Sequence, residues 1–302
     1  MKLYRFSITG FSFDFKYVVL LGFLFSGAVF SSPKQILVAG DSWAYFLCLD
    51  KGYSAAIKNN SIRNLTAAEK CLDVSKLGMQ GSDWLVSEQH RKLLSLLKNN
   101  PKIGYIHLSL GGNDLLEKWN TGISPIQESI LFFETYDSIL KIVKSIRAAS
   151  NAVIILSGYD YPRFIPNHPI ERYRDLYNRL GRPEPFEINS ALIRYNEYLH
   201  QMLKVDEDYG VRLFSVSHLG LSHYYSGIPG QGIPEKSTLN PDDISTIENP
   251  ISVGGDFRFM AENDYLRNYF PGVYDSFHMS RIGYALIAEH SLKNIILRIE
   301  TE

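Results

Sequence analysis

The sequence predicts an α/β fold: three α/β/α layers around a parallel five-stranded sheet, doubly wound in the flavodoxin-like order 2-1-3-4-5. Three observations point there. Short apolar runs that read as strands alternate with longer stretches of helical periodicity, the pattern of a parallel sheet covered on both faces. At 302 residues the chain is long enough to bury a large core. With 45% hydrophobic and 21% charged residues it has the composition of an ordinary globular protein.

The strands are read from the apolar runs. Ile36 to Ala39 is the first, Leu72 to Leu77 a weaker second, Ile103 to Leu110 the third, Val153 to Ser157 the fourth and Val211 to Val216 the fifth. Between them, Trp43 to Leu47 can be helical, and Ser82 to Leu97 reads as a helix ended by Asn99-Asn100-Pro101. Gln127 to Ala148 reads as a long helix with Ile130, Phe133, Ile139, Leu140, Val143 and Ile146 near one face. Ile188 to Val205 is another. The final helix, about Ser280 to Ile299, is expected to turn Ile282, Ala285, Leu286, Leu292, Ile295 and Ile296 inward. Two segments interrupt the alternation: 158–186, rich in Tyr, Pro and Arg, and 217–274, irregular and rich in Gly, Pro and aromatics. Both follow strand ends, so they are expected as insertions over one rim of a single domain spanning 32–302.

Residues 1–31 read as a secretory signal peptide, with cleavage near 28–32. Lys2, Arg5 and Lys16 precede the apolar run Tyr17 to Phe30, and small residues follow. That run is short for a membrane span, which takes roughly 20 apolar residues, although an uncleaved anchor is the other reading. The expectation is an exported protein, periplasmic or secreted, without a stable membrane span after cleavage. The two cysteines, Cys48 and Cys71, are then either one disulfide or two buried thiols. A formal net charge of −1 gives no reason to expect a nucleic-acid partner. No Cys/His spacing resembles a metal site, so no metal is expected; separately, no organic cofactor is expected.

In open doubly wound sheets the site lies outside the carboxyl ends of the strands. There the chain carries Asp41-Ser42 after strand one and Gly78-Met79-Gln80-Gly81-Ser82 after strand two. Gly111-Gly112-Asn113-Asp114 follows strand three, and Asp275-Ser276-Phe277-His278 precedes the last helix. Ser42 is either an N-cap or a nucleophile placed at a helix N-terminus, where the dipole favours negative charge. An imidazole titrates near neutrality, so His278 can take the serine proton, and Asp275 can hold the productive tautomer. The backbone N–H groups of Ser42 and Gly81 and the side-chain amide of Asn113 are the candidate donors for an oxyanion. Glycine at position 81 is expected to permit positive φ and close approach to a substrate.

These blocks resemble the SGNH (GDSL) hydrolase superfamily over about residues 34 to 300. Gly40-Asp41-Ser42 matches its first block, Gly111-Gly112-Asn113-Asp114 its third and Asp275-Ser276-Phe277-His278 its fifth. The glycine of the second block maps best to Gly81, without the asparagine often found ahead of it, and Trp43 stands where Leu or Ser is common. The resemblance implies Ser42, Asp275 and His278 as catalytic residues and Ser42, Gly81 and Asn113 as the oxyanion hole. It implies a serine esterase acting on a small-molecule, glycan or lipid ester through an acyl-enzyme. An O-acyltransferase with the same residues and a non-catalytic binding module are the alternatives. The rim aromatics Tyr159, Tyr161, Phe164, Tyr224, Tyr225, Tyr265, Tyr269, Phe270 and Tyr274 could line a substrate trough or simply pack the insertions. Arg163, Arg258 and Arg267 could address an anion. His107 is expected to be buried and hydrogen-bonded, while His218 and His223 could reach the rim.

Overall fold

The computed structural model describes residues 32–68, 71–72, 78–226 and 258–301. Its main sheet has five strands in the order β2-β1-β3-β4-β5: β1 (Lys34–Gly40), β2 (Leu65–Ala67), β3 (Ile103–Ser109), β4 (Val153–Ser157) and β5 (Leu213–Val216). Every pairing is parallel. The central strands are buried almost end to end, as continuous apolar runs covered on both faces must be.

The second strand differs from the sequence expectation. The sheet edge is formed by Leu65–Ala67, paired with Lys34 to Ile36, and not by Leu72 to Leu77, of which 73–77 lie outside the described residues. A three-residue edge strand with one buried side chain carries too little apolar pattern to be read from sequence.

The helices fall into two packed groups. The long α6 (Pro125–Ala149) contacts α3 (Gly81–Leu85), α4 (Glu88–Asn99), α5 (Gly112–Lys118) and α8 (Pro185–Leu203). The other group joins α1 (Ser42–Leu49) and α2 (Gly52–Asn59) to α10 (Arg281–Ser291). The expected helix over Ser82 to Leu97 is two helices, because Ser87 leaves helical geometry and caps α4 by accepting from the His90 N–H. In α6 the buried stripe runs through Leu131, Thr135, Ile139, Ile142 and Ile146, so Ile130 and Phe133 point outward, at 52% and 54% exposure. In the last helix Ile282 is also exposed and Gly283, Tyr284, Ile287 and Ala288 face in, whereas Leu292, Ile295 and Ile296 are buried as expected. A π turn at Leu292–Ile296 separates α10 from α11 (Leu297–Thr301). It changes the helical phase, so one 3.6-residue stripe cannot fit both halves.

The insertions are partly regular. α7 (Glu171–Arg179) lies in the first, and α9 (Leu221–Ser226) with an antiparallel hairpin, β6 (Leu266–Phe270) and β7 (Val273–Met279), in or beside the second. Cys48, in α1, is disulfide-bonded to Cys71, with Cα atoms 5.5 Å apart.

Beneath the sheet lies a buried polar network. The ring nitrogens of His107 hold the Tyr53 hydroxyl at 2.7 Å and the Ser157 hydroxyl at 2.6 Å. His107 stacks on His218, whose Nδ1 is 3.1 Å from that of His290. His218 is therefore core, not rim, and His223 bonds the Met260 carbonyl at 2.6 Å. Burial pushes His107 down from 6.5 to about 3 and holds His218 well below the ordinary histidine range, with the neighbouring histidines adding to the effect at His218.

Two tests follow from this packing. Gly40 adopts φ +137°, and a Cβ there would sit 1.9 Å from the Ser109 carbonyl oxygen, so Gly40→Ala should destabilise by more than about 3 kcal/mol in denaturant unfolding. Between pH 6.5 and about 3 the unfolded chain binds a proton at His107 that the folded chain refuses. Stability should therefore fall as pH is lowered through this window, and His107→Gln should flatten the fall by about one proton in the slope of unfolding free energy against pH.

Candidate active site

Strand order reverses between β1 and β3, whose last residues, Gly40 and Ser109, are register partners. The chain leaving β1 enters α1 at once. Asp41 is the N-cap, its Oδ1 accepting the Trp43 N–H at 3.0 Å. Ser42 is thus the first helical residue, and its hydroxyl is not used in capping. Its backbone N–H belongs to the first turn, where no carbonyl within the helix can pair with it.

The Ser42 Oγ lies 2.8 Å from Nε2 of His278, and His278 Nδ1 lies 2.9 Å from Asp275 Oδ2. With Nδ1 protonated and donating to the carboxylate, Nε2 accepts from the serine hydroxyl. All three side chains are buried. His278 and Asp275 lie on β7, a strand that the sequence reading did not foresee ahead of the last helix. Asp275 Oδ1 accepts the N–H groups of Phe277 and His278, at 3.0 and 2.9 Å, which fixes the carboxylate against its own strand.

Trp43 explains how a surface hairpin meets the end of the central strand. Its Nε1 donates to the Phe277 carbonyl at 2.8 Å, tying the residue beside the serine to the residue beside the histidine. The indole stacks on Tyr159 at 4.7 Å between ring centres, and the Tyr159 hydroxyl donates to Asp41 Oδ2 at 2.6 Å. Phe46 packs edge-on to the His278 ring, and Arg267 lies over Phe46 while pairing with Asp50. That ion pair occupies one of the arginines considered for anion binding.

Two of the candidate oxyanion donors are engaged within the protein. The Asn113 amide nitrogen contacts the Met79 carbonyl at 3.2 Å and Asp41 Oδ2 at 3.4 Å. The Gly81 N–H donates to Asp114 Oδ2 at 2.9 Å. Of the two reasons expected for glycine at position 81, positive φ does not hold. The φ of Gly81 is not positive, and the nearest atoms a Cβ would meet are Ser138 Cβ at 3.4 Å and the Asp114 carboxylate at 3.7 Å, ordinary contacts. The residue opens helix α3 in ordinary geometry.

Three carboxylates surround the site, with opposite electrostatics. Burial pushes Asp41 up to about 7, against the hydrogen bonds from Tyr159 and Trp43. Burial likewise raises Asp114 to about 6, against the Gly81 N–H. Burial also works on Asp275, but the hydrogen bond and charge of His278 and the hydroxyls of Tyr173 and Tyr269 outweigh it and hold that carboxyl below the usual range. Tyr173 was missed in the sequence. It sits in α7 inside an insertion, and no motif marks it. Of the aromatics proposed for a trough, Tyr159, Tyr161 and Phe164 are buried packing residues, whereas Phe270 is exposed.

Among the described residues no group of three or more His, Cys, Asp or Glu side chains is arranged to hold a metal ion, and no helix is long and apolar enough to cross a membrane. The sequence matches no protein-family model and no curated protein. Solved structures with similarity include a carbohydrate acetylesterase family member from Sinorhizobium meliloti (13% identity, 89% of this chain and 100% of that one, TM-score 0.45). They also include the aryl esterase of M. smegmatis (10% identity, 88% and 99%, TM-score 0.43) and a lipase from a goat rumen metagenome (13% identity, 86% and 95%, TM-score 0.41).

Because position 81 demands neither positive φ nor missing volume, Gly81→Ala should fold normally, with unfolding free energy within about 0.5 kcal/mol of the parent.

Proposed function

We propose that this chain is a serine hydrolase of carboxylic esters, of the SGNH type. The observation that carries the reading is the unbroken run from Ser42 through His278 to Asp275, with contacts of 2.8 and 2.9 Å. A hydroxyl is a weak nucleophile until a base takes its proton, and a base works best when a third group fixes its tautomer.

In the proposed reaction His278 accepts the Ser42 proton as Oγ attacks the ester carbonyl. The resulting oxyanion is held by the Ser42 N–H, the Asn113 amide and the Gly81 N–H. The last of these joins when it turns from Asp114 to the substrate oxygen. His278 then gives its proton to the departing alkoxide, and the alcohol leaves. Water, deprotonated by the same imidazole, attacks the acyl-serine and restores the hydroxyl as the acid departs. No step in this sequence calls for a metal or an organic cofactor.

Export of the protein, with residues 1–31 removed, belongs to the same proposal. The Cys48–Cys71 disulfide supports it, since such bonds persist mainly in oxidising compartments.

The test is hydrolysis of a panel of acyl esters of graded chain length together with O-acetylated sugars. Ser42→Ala should fall to the uncatalysed background with an unchanged circular-dichroism spectrum. Asn113→Ala should lose about 10²–10³ in kcat, the usual cost of one oxyanion donor. Parent-like turnover by Ser42→Ala would refute the assignment.

A further inference from the structure

The acid of the candidate triad has more partners than its histidine requires. Asp275 Oδ2 accepts from His278 Nδ1 at 2.9 Å, and also from the hydroxyls of Tyr173 in α7 and Tyr269 in β6, each at 2.5 Å. Each phenol has one proton, and both protons are spent on the carboxylate. The two phenol oxygens nevertheless lie 2.9 Å apart, which brings lone pairs face to face. One nitrogen resolves the conflict: Nη2 of Arg172 reaches Tyr173 Oη at 2.7 Å and Tyr269 Oη at 2.6 Å. It has two hydrogens, enough to give one to each oxygen. The guanidinium also lies over the Tyr173 ring, 4.6 Å from its centre. The direction of donation therefore runs from a fixed positive charge, through two hydroxyls, to the carboxylate.

We propose that Tyr173, Tyr269 and Arg172 are positioning residues that clamp Asp275 as an ionised acceptor and set the strength of its hydrogen bond to His278. The proposal rests on the esterase reading only for its kinetic arm. Physically, two donated O–H bonds draw negative charge away from the oxygen that faces the imidazole, and Arg172 reinforces them. Tyr284 of α10 also feels the Asp275 charge, together with those of Arg267 and Asp41. Removing a hydroxyl concentrates charge on Oδ2. The imidazole then binds its second proton more tightly, and the base form needed for attack on an ester requires a higher pH.

The experiment compares the parent with Tyr269→Phe, Tyr173→Phe and Arg172→Met by two readouts. The first is the low-field Nδ1–H proton resonance of His278 in the resting protein, followed against pH by NMR; it needs no turnover. The second is the pH profile of kcat/KM on the best ester of the panel. In each variant the Nδ1–H resonance should move downfield and its titration midpoint should move to higher pH than in the parent. The acidic limb of kcat/KM should move to higher pH in step with the midpoint, with KM little changed. Tyr177→Phe, a buried phenol on the same helix, is the control and should leave both readouts in place. If Tyr173→Phe fails to fold, Tyr269→Phe and Arg172→Met carry the same expectation. A resonance and midpoint that stay put, or move the other way, in folded Tyr269→Phe and Arg172→Met would overturn the clamp. Failure of the esterase reading alone would show differently: no turnover by the parent, with the NMR shifts still present.

Discussion

A single hydrogen bond between Ser42 and His278, two residues 236 positions apart, is the contact on which the arrangement depends. Neither end is free to choose its place. Ser42 is fixed because β1 stops at Gly40, whose backbone approaches Ser109 too closely for any side chain, and because Asp41 takes the cap and starts the helix. His278 is fixed because β7 belongs to a hairpin anchored at several points. Trp43 bonds the Phe277 carbonyl, the Arg163 N–H bonds the Ser276 carbonyl at 2.6 Å, and His168 bonds the Tyr274 carbonyl at 2.8 Å. The partners of β7 thus come from α1 and from the first insertion. The first insertion helps to hold the imidazole in place. Such support shortens the search for reactive geometry, which is where much of the advantage of a preorganised site lies.

The electrostatics follow the same division of labour. Asp41, Asp114 and Asp275 are all buried, so desolvation acts on each. Donors decide the outcome. Asp275 receives two backbone N–H groups, an imidazole N–H and two hydroxyls, and stays ionised. Asp41 and Asp114 have fewer or weaker donors, and burial raises both toward neutrality, at Asp114 against the charge of Lys118. A charge is kept beside the imidazole, where in the proposed reaction it would stabilise the protonated ring. Where an oxyanion would form, the same burial discourages a competing negative charge.

Much of the candidate site was legible because its residues stand in short local blocks at strand ends. Gly40-Asp41-Ser42, Gly111-Gly112-Asn113-Asp114 and Asp275-Ser276-Phe277-His278 each read as a unit. The sheet order was legible because buried parallel strands make continuous apolar runs. Other features depend on pairings remote in sequence. Leu65–Ala67 is a strand only because β1 offers it a ladder, and β7 is a strand only because β6 returns against it. The outward turn of Ile130, Phe133 and Ile282 depends on which rotation of an amphipathic helix the neighbouring layer accepts, a tertiary choice. Tyr173 and Arg172 carry no local signal, since their partners come from β6 and β7. The bonded state of Cys48 and Cys71 was left open by sequence because it depends on a close approach that spacing does not dictate.

Peptide mapping by mass spectrometry after treatment with a fluorophosphonate probes the central contact most directly, since that reagent phosphonylates a serine only when a neighbouring base activates it. The account predicts one adduct, on Ser42, and its loss in His278→Ala. A protein left unlabelled, a label on another serine, or undiminished labelling without the imidazole would contradict it.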